Sequence, residues 1–397
     1  MSELWRLTAT EAVALLKRGE VTPLDLIDVA AARIAATDGA LNALPTLCLD
    51  RARDHARRLM ARPRRDPPPH YLYGLPIAVK DNMDVAGVRC TSGSRIYENR
   101  IAEASDIVVE RLEVFGVTRN PWDTRMTPSG SSGGAAAALA SGQVWLATGG
   151  DFGGSIRTPS SYCSTVGLRP TPGSVPRAQK QPFSALSVEG PMARTVGDCA
   201  LMFECEAGAH PLDPLAHPMQ PGLWMNAAAR PQKPARVAFS VDLGVAPAVH
   251  RDTRAVVEAA AKKIAGEGVI VEETHPDLAD AVRNFMVLRG AIYIARIAPL
   301  LAQAVVCPPF PVETRYVAEL DGVKFDGYMG WLSLTCALSI TACPVLALPG
   351  GFTPGGLPVG LQVAGPLRSE ARLFSQGAWL EQLLGHAARL PIEPVVR

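Results

Sequence analysis

Residues 127–173 constrain this chain more than any other stretch. They run Thr127-Pro128-Ser129-Gly130-Ser131-Ser132-Gly133-Gly134 into an alanine run. They pass through Gly149-Gly150-Asp151-Phe152-Gly153-Gly154-Ser155-Ile156-Arg157 and close at Gly167-Leu168-Arg169-Pro170-Thr171. Glycine lacks a Cβ, admits positive φ and lets backbone N–H groups come close to a ligand. So many glycines and serines, bracketed by helix-forming and apolar sequence, predict built turns and not a flexible linker. Ser131 and Ser132 precede Gly133, Gly134 and a run from Ala135 to Leu139 with high helix propensity. That places them at a helix N-terminus, where free N–H groups and the helix dipole favour developing negative charge. Around Ser155, the Phe152-Gly153-Gly154 turn can gather consecutive N–H groups into one concavity, as an oxyanion hole beside a serine nucleophile requires.

A serine nucleophile needs a base. No histidine lies between His70 and His210, so a Ser-His-Asp arrangement has no local support. The candidate is Lys80, at the end of Gly74-Leu75-Pro76-Ile77-Ala78-Val79-Lys80-Asp81-Asn82. The apolar lead-in predicts a buried strand beginning near Leu75 that delivers the lysine. Burial disfavours an ammonium, so it lowers the lysine pKa and makes a neutral amine available near pH 7. Each element alone has a plainer reading. A Gly-Ser-Ser-Gly-Gly run is more often a turn or linker, and a strand-end lysine usually stays solvated. No Gly-Lys-Ser/Thr follows the glycines, which argues against a P-loop. The order and spacing of the three elements together favour the chemical reading.

These segments resemble the signatures of the amidase signature family. The likeness extends through Gly190-Pro191-Met192-Ala193-Arg194 and Gly356-Leu357-Pro358-Val359-Gly360-Leu361-Gln362, so it covers most of the chain in family order. It implies an α/β fold with a large mixed central β-sheet covered by α-helices on both faces. It implies a Ser-Ser-Lys triad: Ser155 as nucleophile, Ser131 as bridging serine after a cis peptide at Gly130, and Lys80 as terminal base. The N–H groups of Phe152, Gly153, Gly154 and Ser155 are implied as the oxyanion hole, and Ser132, Asp151 and Arg157 occupy supporting positions. The implied reaction is hydrolysis of a carboxylic acid amide through an acyl-enzyme. It needs no cofactor or metal, because protein groups supply acid, base and oxyanion donors.

The remaining chain fits a globular protein. Net charge is +1, with 48% hydrophobic and 19% charged residues, which gives no pull toward nucleic acid or a membrane. The eight cysteines are scattered without a Cys-x-x-Cys pair and fit free thiols. The first 20 residues carry charges throughout, with no apolar signal core, and no stretch is long and apolar enough to span a membrane. The cytoplasm is the default expectation.

Residues 8–17 predict a helix with Thr8 and Glu11 as a capping box. A second helix begins at Thr22-Pro23 with Leu24, Ile27, Ala31 and Ile34 on one face. A basic third helix covers about 51–60, and Arg62, Arg64 and Arg65 extend its charge. Residues 236–240, 252–266 and 269–272 read as strand, helix and strand, with Val256, Val257, Ala260 and Ile264 on the helix's apolar face. Residues 344–349 and 359–363 predict two buried strands. A helix over 369–384 turns Leu373, Trp379 and Leu383 inward. We expect one amidase domain over 1–397. Its parts are a helical region 1–66, a signature core 70–200, a variable substrate-side region about 206–330, and a C-terminal sheet and helix 331–397.

One departure from the family pattern stands out. Arg111-Leu112-Glu113 runs directly into Val114-Phe115-Gly116, where the resemblance implies an intervening strand and loop of roughly 20 residues by ordinary element lengths. The interval from Lys80 to Ser131 is correspondingly short, and 292–326 also reads as abbreviated. Besides an amidase acting on a small-molecule amide, two rivals remain. One is the A subunit of a glutamyl-tRNA amidotransferase, which needs partner subunits. The other is a catalytically impaired paralogue. Whether the chain self-associates into a homo-oligomer is left open by its sequence.

Overall fold

The computed structural model describes residues 3–62, 66–91, 97, 99–106, 119–177, 185–301, 319–320, 322–324 and 332–395. It separates into two compact units, Met1–Pro234 with Cys343–Arg397, and Ala235–Ala342.

The first unit opens on helices whose ends are written locally. In α1 (Ala9–Arg18), Thr8 and Glu11 form a reciprocal capping box, and Gly19 ends the helix in the left-handed region. In α2 (Pro23–Leu41), Thr22 and Asp25 do the same ahead of Pro23. The buried face of α2 differs from the expected one. It runs through Leu26, Ile27, Ala30, Arg33, Ile34, Thr37 and Leu41, while Leu24 and Ala31 are only half-buried. Arg33 explains the rotation. Its guanidinium is drawn inward to the Ser141 carbonyl at 2.7 Å, the Ile392 carbonyl at 3.0 Å and the Glu393 carboxylate at 2.7 Å. A polar side chain with that many partners can sit where a pattern search expects only apolar residues. Helix α3 (Leu49–Ala61) buries only Ala56, so its arginines lie on a solvated face, where Arg53 pairs with Asp28 and Arg57 with Asp54.

The core of the unit is a sheet in the order β1-β3-β2-β8-β9, from strands β1 (Leu146–Asp151), β2 (Val166–Arg169), β3 (Val188–Ala193), β8 (Val345–Phe352) and β9 (Pro358–Ala364). All pairings among these strands are antiparallel, and a parallel bridge from Ala78 to Ala147 makes the sheet mixed. Helices α4 (Gly133–Ala140), α5 (Arg157–Cys163), α6 (Val196–Glu206), α7 (Leu223–Ala228) and α11 (Glu370–Leu384) complete the unit.

Strand alternation shows how the sheet is covered on both faces. Gly167, Ala347 and Gln362 are register partners, and Gly167 lies against Ser160 of α5. Their neighbours Leu168, Leu346 and Val363 face the other way, where Gly377 of α11 lies against Leu346. Every residue of α4 is buried, which its alanines and glycines allow by presenting no bulky face. Helix α11 buries Leu373, Phe374, Ala378, Leu380 and Leu384, whereas the expected Trp379 and Leu383 are half-buried. It packs on both β8 and α7, so its buried arc is set by two neighbours at once.

The second unit holds β4 (Arg236–Phe239), α8 (Arg251–Gly266) and β5 (Ile270–Glu273), the expected strand-helix-strand, with the two strands parallel. On α8 only Ala260 of the four expected apolar positions is buried, and the rest are half-buried. Helix α9 (Ala281–Leu301), the short pair β6 (Glu319–Leu320) and β7 (Val323–Lys324), and α10 (Ser333–Ile340) follow. The junction at 107–118 and most of the abbreviated region 292–326 lie outside the described residues. Seven described cysteines are free thiols. No helix among the described residues is long and apolar enough to cross a membrane.

Candidate active site

Lys80, Ser131 and the Asp151–Arg157 turn come together at one end of β1. Lys80 does not arrive on the expected buried strand. Residues 76–80 join the sheet at one bridge, where Ala78 N–H donates to the Leu146 carbonyl at 3.1 Å and Thr148 N–H donates to the Ala78 carbonyl at 2.9 Å. Pro76 has no N–H to extend the ladder backward. Forward, the Lys80 N–H is taken by the Thr148 hydroxyl at 3.1 Å in place of a backbone carbonyl. The segment is anchored by a few bonds and ends on a side chain that reaches into the protein.

Lys80 is 7% exposed, and its amine donates to Ser131 Oγ at 2.7 Å and to the Gly150 carbonyl at 3.0 Å. Burial lowers its pKa from 10.5 to about 8, against the opposing pull of Glu189 and Asp151 and with a small further push from Arg177. The peptide between Gly130 and Ser131 is cis. Ser132 stands at the N-terminus of α4, as expected, and its N–H donates to the Ser155 carbonyl at 3.1 Å, which ties the two serine turns together. Ser132 Oγ reaches the Gly150 carbonyl at 3.5 Å. Lys80 is buried, Ser155 half-buried and Ser131 exposed.

Asp151 holds the turn that carries Ser155. Its carboxylate is fully buried and accepts from Gly154 N–H at 2.9 Å, Ile156 N–H at 3.1 Å, Arg157 Nε at 3.1 Å and Arg157 Nη2 at 3.0 Å. Arg169 Nη1 adds contacts to its carbonyl at 2.6 Å and its Oδ1 at 3.2 Å. Burial alone pushes this carboxyl up, but the Arg157 and Arg169 guanidiniums overcome it and hold Asp151 well below the ordinary carboxylate range. Arg157 continues to Gln362 Oε1 on β9 at 3.0 Å. Of the four N–H groups expected at an oxyanion hole, that of Gly154 is therefore engaged by Asp151.

Several residues of this site escaped sequence reasoning. Arg169 and Gln362 both stand in the quoted motifs, and a lone arginine in an otherwise apolar strand was a usable signal for the former. Thr148, which caps the Lys80 segment, and Glu189, which faces Gly150 across the β1–β3 pairing, carried none. Their roles follow from strand register.

The family model described as Amidase matches residues 25–114 and 113–298. The two pieces meet at the junction where a segment is expected to be missing. The A subunit of the glutamyl-tRNA(Gln) amidotransferase of Anaeromyxobacter dehalogenans (strain 2CP-C) is 41% identical over 236 residues, covering 53% of this chain and 48% of the relative. In that match the chain spans about half the relative's length. The corresponding protein of Moorella thermoacetica (strain ATCC 39073 / JCM 9320) is 30% identical over 483 aligned residues, covering 98% of this chain and 99% of the relative. That alignment is longer than the 397-residue chain, so the relative has segments this chain lacks. A bacterial aryl acylamidase of the amidase signature family has the same fold, with a TM-score of 0.80 at 23% identity over 98% of this chain and 99% of that one. On the extent of the family match and the full-length relative, the chain belongs to the amidase family, the amidase signature proteins.

Proposed function

We propose that the protein is an amidase that hydrolyses a small-molecule carboxylic acid amide through a serine acyl-enzyme. The observation that carries this reading is the buried Lys80 amine bonded to Ser131 Oγ at 2.7 Å. In the neutral amine, one N–H keeps the Gly150 carbonyl while the lone pair accepts the Ser131 proton. Ser155 Oγ then attacks the amide carbonyl and passes its proton to Ser131, whose own proton moves to Lys80. The N–H groups of Phe152, Gly153, Gly154 and Ser155 receive the oxyanion, with the Gly154 proton shared away from Asp151. When the C–N bond breaks, the relay runs backward and protonates the leaving amine through Ser131. Water repeats the sequence on the acyl-enzyme, which releases the acid and restores Ser155. Ser132, Asp151 and Arg157 hold the two serine turns in place, and the steps require no cofactor. The reading takes the whole chain, 1–397, as one amidase domain working in the cytoplasm, without a nucleic-acid or membrane partner.

A fluorophosphonate probe tests this directly: Ser155 Oγ should displace fluoride and carry the label, and Ser155→Ala should abolish both labelling and amide hydrolysis. Undiminished turnover by folded Ser155→Ala would sink the reading. The names of the relatives motivate a second reading, in which the chain is an amidotransferase A subunit that hands ammonia to a partner. It predicts that glutamine hydrolysis depends on added partner subunits. Failure of the wild-type chain to label at all would favour the impaired paralogue, which the shortened stretch at 113–114 motivates.

A further inference from the structure

A second buried carboxylate lies beside Lys80 without any part in the steps above. Glu189 on β3 is paired in register with Gly150 on β1 and is 6% exposed. Its Oε1 meets Arg177 Nη2 at 3.0 Å, and its Oε2 is buried with no hydrogen-bond partner. Arg177 is held in turn, its Nη1 donating to the Ser187 carbonyl at 2.7 Å and its backbone N–H to Asp213 at 2.8 Å. Gly150 stands between carboxylate and amine. Its carbonyl accepts from Lys80 Nζ at 3.0 Å, while a Cβ at its Cα would lie 2.6 Å from Glu189 Oε2. The glycine keeps the sheet thin at this point and lets the unpartnered oxygen approach.

We propose that Glu189 is a positioning residue for the reaction, the fixed counter-charge of Lys80, and that Arg177 meters how much of that charge Lys80 feels. This rests on the reading of Lys80 as the base. A buried carboxylate oxygen that no hydrogen bond satisfies is costly. Its charge is neutralised on one side only, by Arg177, and acts on the amine across Gly150. The other charged groups around Lys80 are accounted for. Asp151 on β1 is occupied by Arg157 and Arg169. Asp81, the next residue, holds Thr91, and Asp84 is paired with Arg100. Asp106 binds the Asp84 N–H at 2.8 Å and lies near Glu189 and Arg177. Glu189 contributes the largest opposing charge to the burial of Lys80, and Arg177 acts in the reverse sense. The pair therefore sets where the amine loses its proton, and its two members push in opposite directions.

The test is the pH dependence of Ser155 acylation by a fluorophosphonate in the wild type, Glu189→Gln, Arg177→Gln, the double variant and Lys80→Ala. Removing the carboxylate should move the acid limb to lower pH by about 0.5–1 unit, less than a directly paired charge produces. Removing Arg177 should move it to higher pH, and the double variant should fall between. A purely structural pair would instead lower the rate in both single variants without moving the limb, and that result overturns the proposal. If Glu189→Gln does not fold, Arg177→Gln alone decides, since only a shift to higher pH supports it. Lys80→Ala separates the two levels. If it keeps the wild-type profile, the reading of Lys80 as base is wrong. If it is inactive while the limb stays put in the other variants, Glu189 and Arg177 have no such part.

Discussion

Replacing Asp151 by asparagine keeps the side chain's size and removes its charge, which makes it the sharpest probe of how the site is held together. The carboxylate sits between two fully buried guanidiniums, with Arg157 at 3.0 Å and Arg169 at 3.2 Å. At an effective dielectric of about 20, a unit pair at about 3 Å interacts by roughly 5 kcal/mol, and desolvation of both ions offsets part of that. Asparagine also aims an NH2 group at donors that now have no acceptor. Breaking one side of a buried pair costs about 3–5 kcal/mol because the other charge stays behind unpaired. Two buried arginines lose their counter-charge here, so we expect the upper part of that range, a large fraction of the roughly 5–15 kcal/mol that holds a domain folded. Urea unfolding followed by tryptophan fluorescence measures it. Fluorophosphonate labelling measures the accompanying loss of the turn, because Gly154 and Ile156 also bind this carboxylate. The pH dependence has a definite sign. Asp151 is depressed in the folded protein, so its contribution is fully present above the ordinary value of 3.8 and is lost as pH falls through the lower folded value. The wild-type advantage over Asp151→Asn should therefore hold at neutral pH and shrink in acid. A loss below about 1 kcal/mol at neutral pH, the range of an exposed pair, would refute this account of the cluster.

Other outcomes follow from the same geometry. Activity of the wild type should rise with pH through a midpoint near the Lys80 pKa of about 8, and Lys80→Ala should lose it at every pH, as a pH–rate profile will show. An Ala variant that retains the wild-type limb would place the base elsewhere. Gly173→Ala should destabilise by about 2–4 kcal/mol in the same urea assay, since φ is +86° and the new Cβ would sit 2.0 Å from the Leu215 carbonyl oxygen. A loss under about 0.5 kcal/mol would show that this turn yields easily. If a strand is wanting after Glu113, as the family resemblance implies, inserting a family-like strand and loop there should raise both the melting temperature and labelling rate, because a sheet edge left without its partner strand invites association. A wild-type chain that is already monomeric, cooperative in unfolding and fully active would show that nothing needed is wanting at this junction.

The parts legible in the sequence are those whose physics is local. A Thr8–Glu11 or Thr22–Asp25 cap is decided within one helical turn, and each helix starts where those residues place it. The glycines around Ser155 and the helix after Ser132 are equally local, which is why the serine turns are legible without the fold. The faces of α2 and α11 were not, because a helix wedged between several neighbours buries whatever those neighbours can satisfy. Arg33 shows this by taking an inward position among carbonyls supplied from residues 141 and 392. The Lys80 segment reads as a strand in the sequence because apolar residues mark burial and not pairing, and a single bridge to Ala147 leaves the same apolar pattern. Arg169, Gln362 and Glu189 reach the site from β2, β9 and β3, so their meeting depends on strand order and register. That order is set by long-range pairing, whose energy no short window of residues contains. Residue types and turns thus came from the chain itself, while the charges that surround Lys80 and Asp151 were chosen by which strands lie side by side.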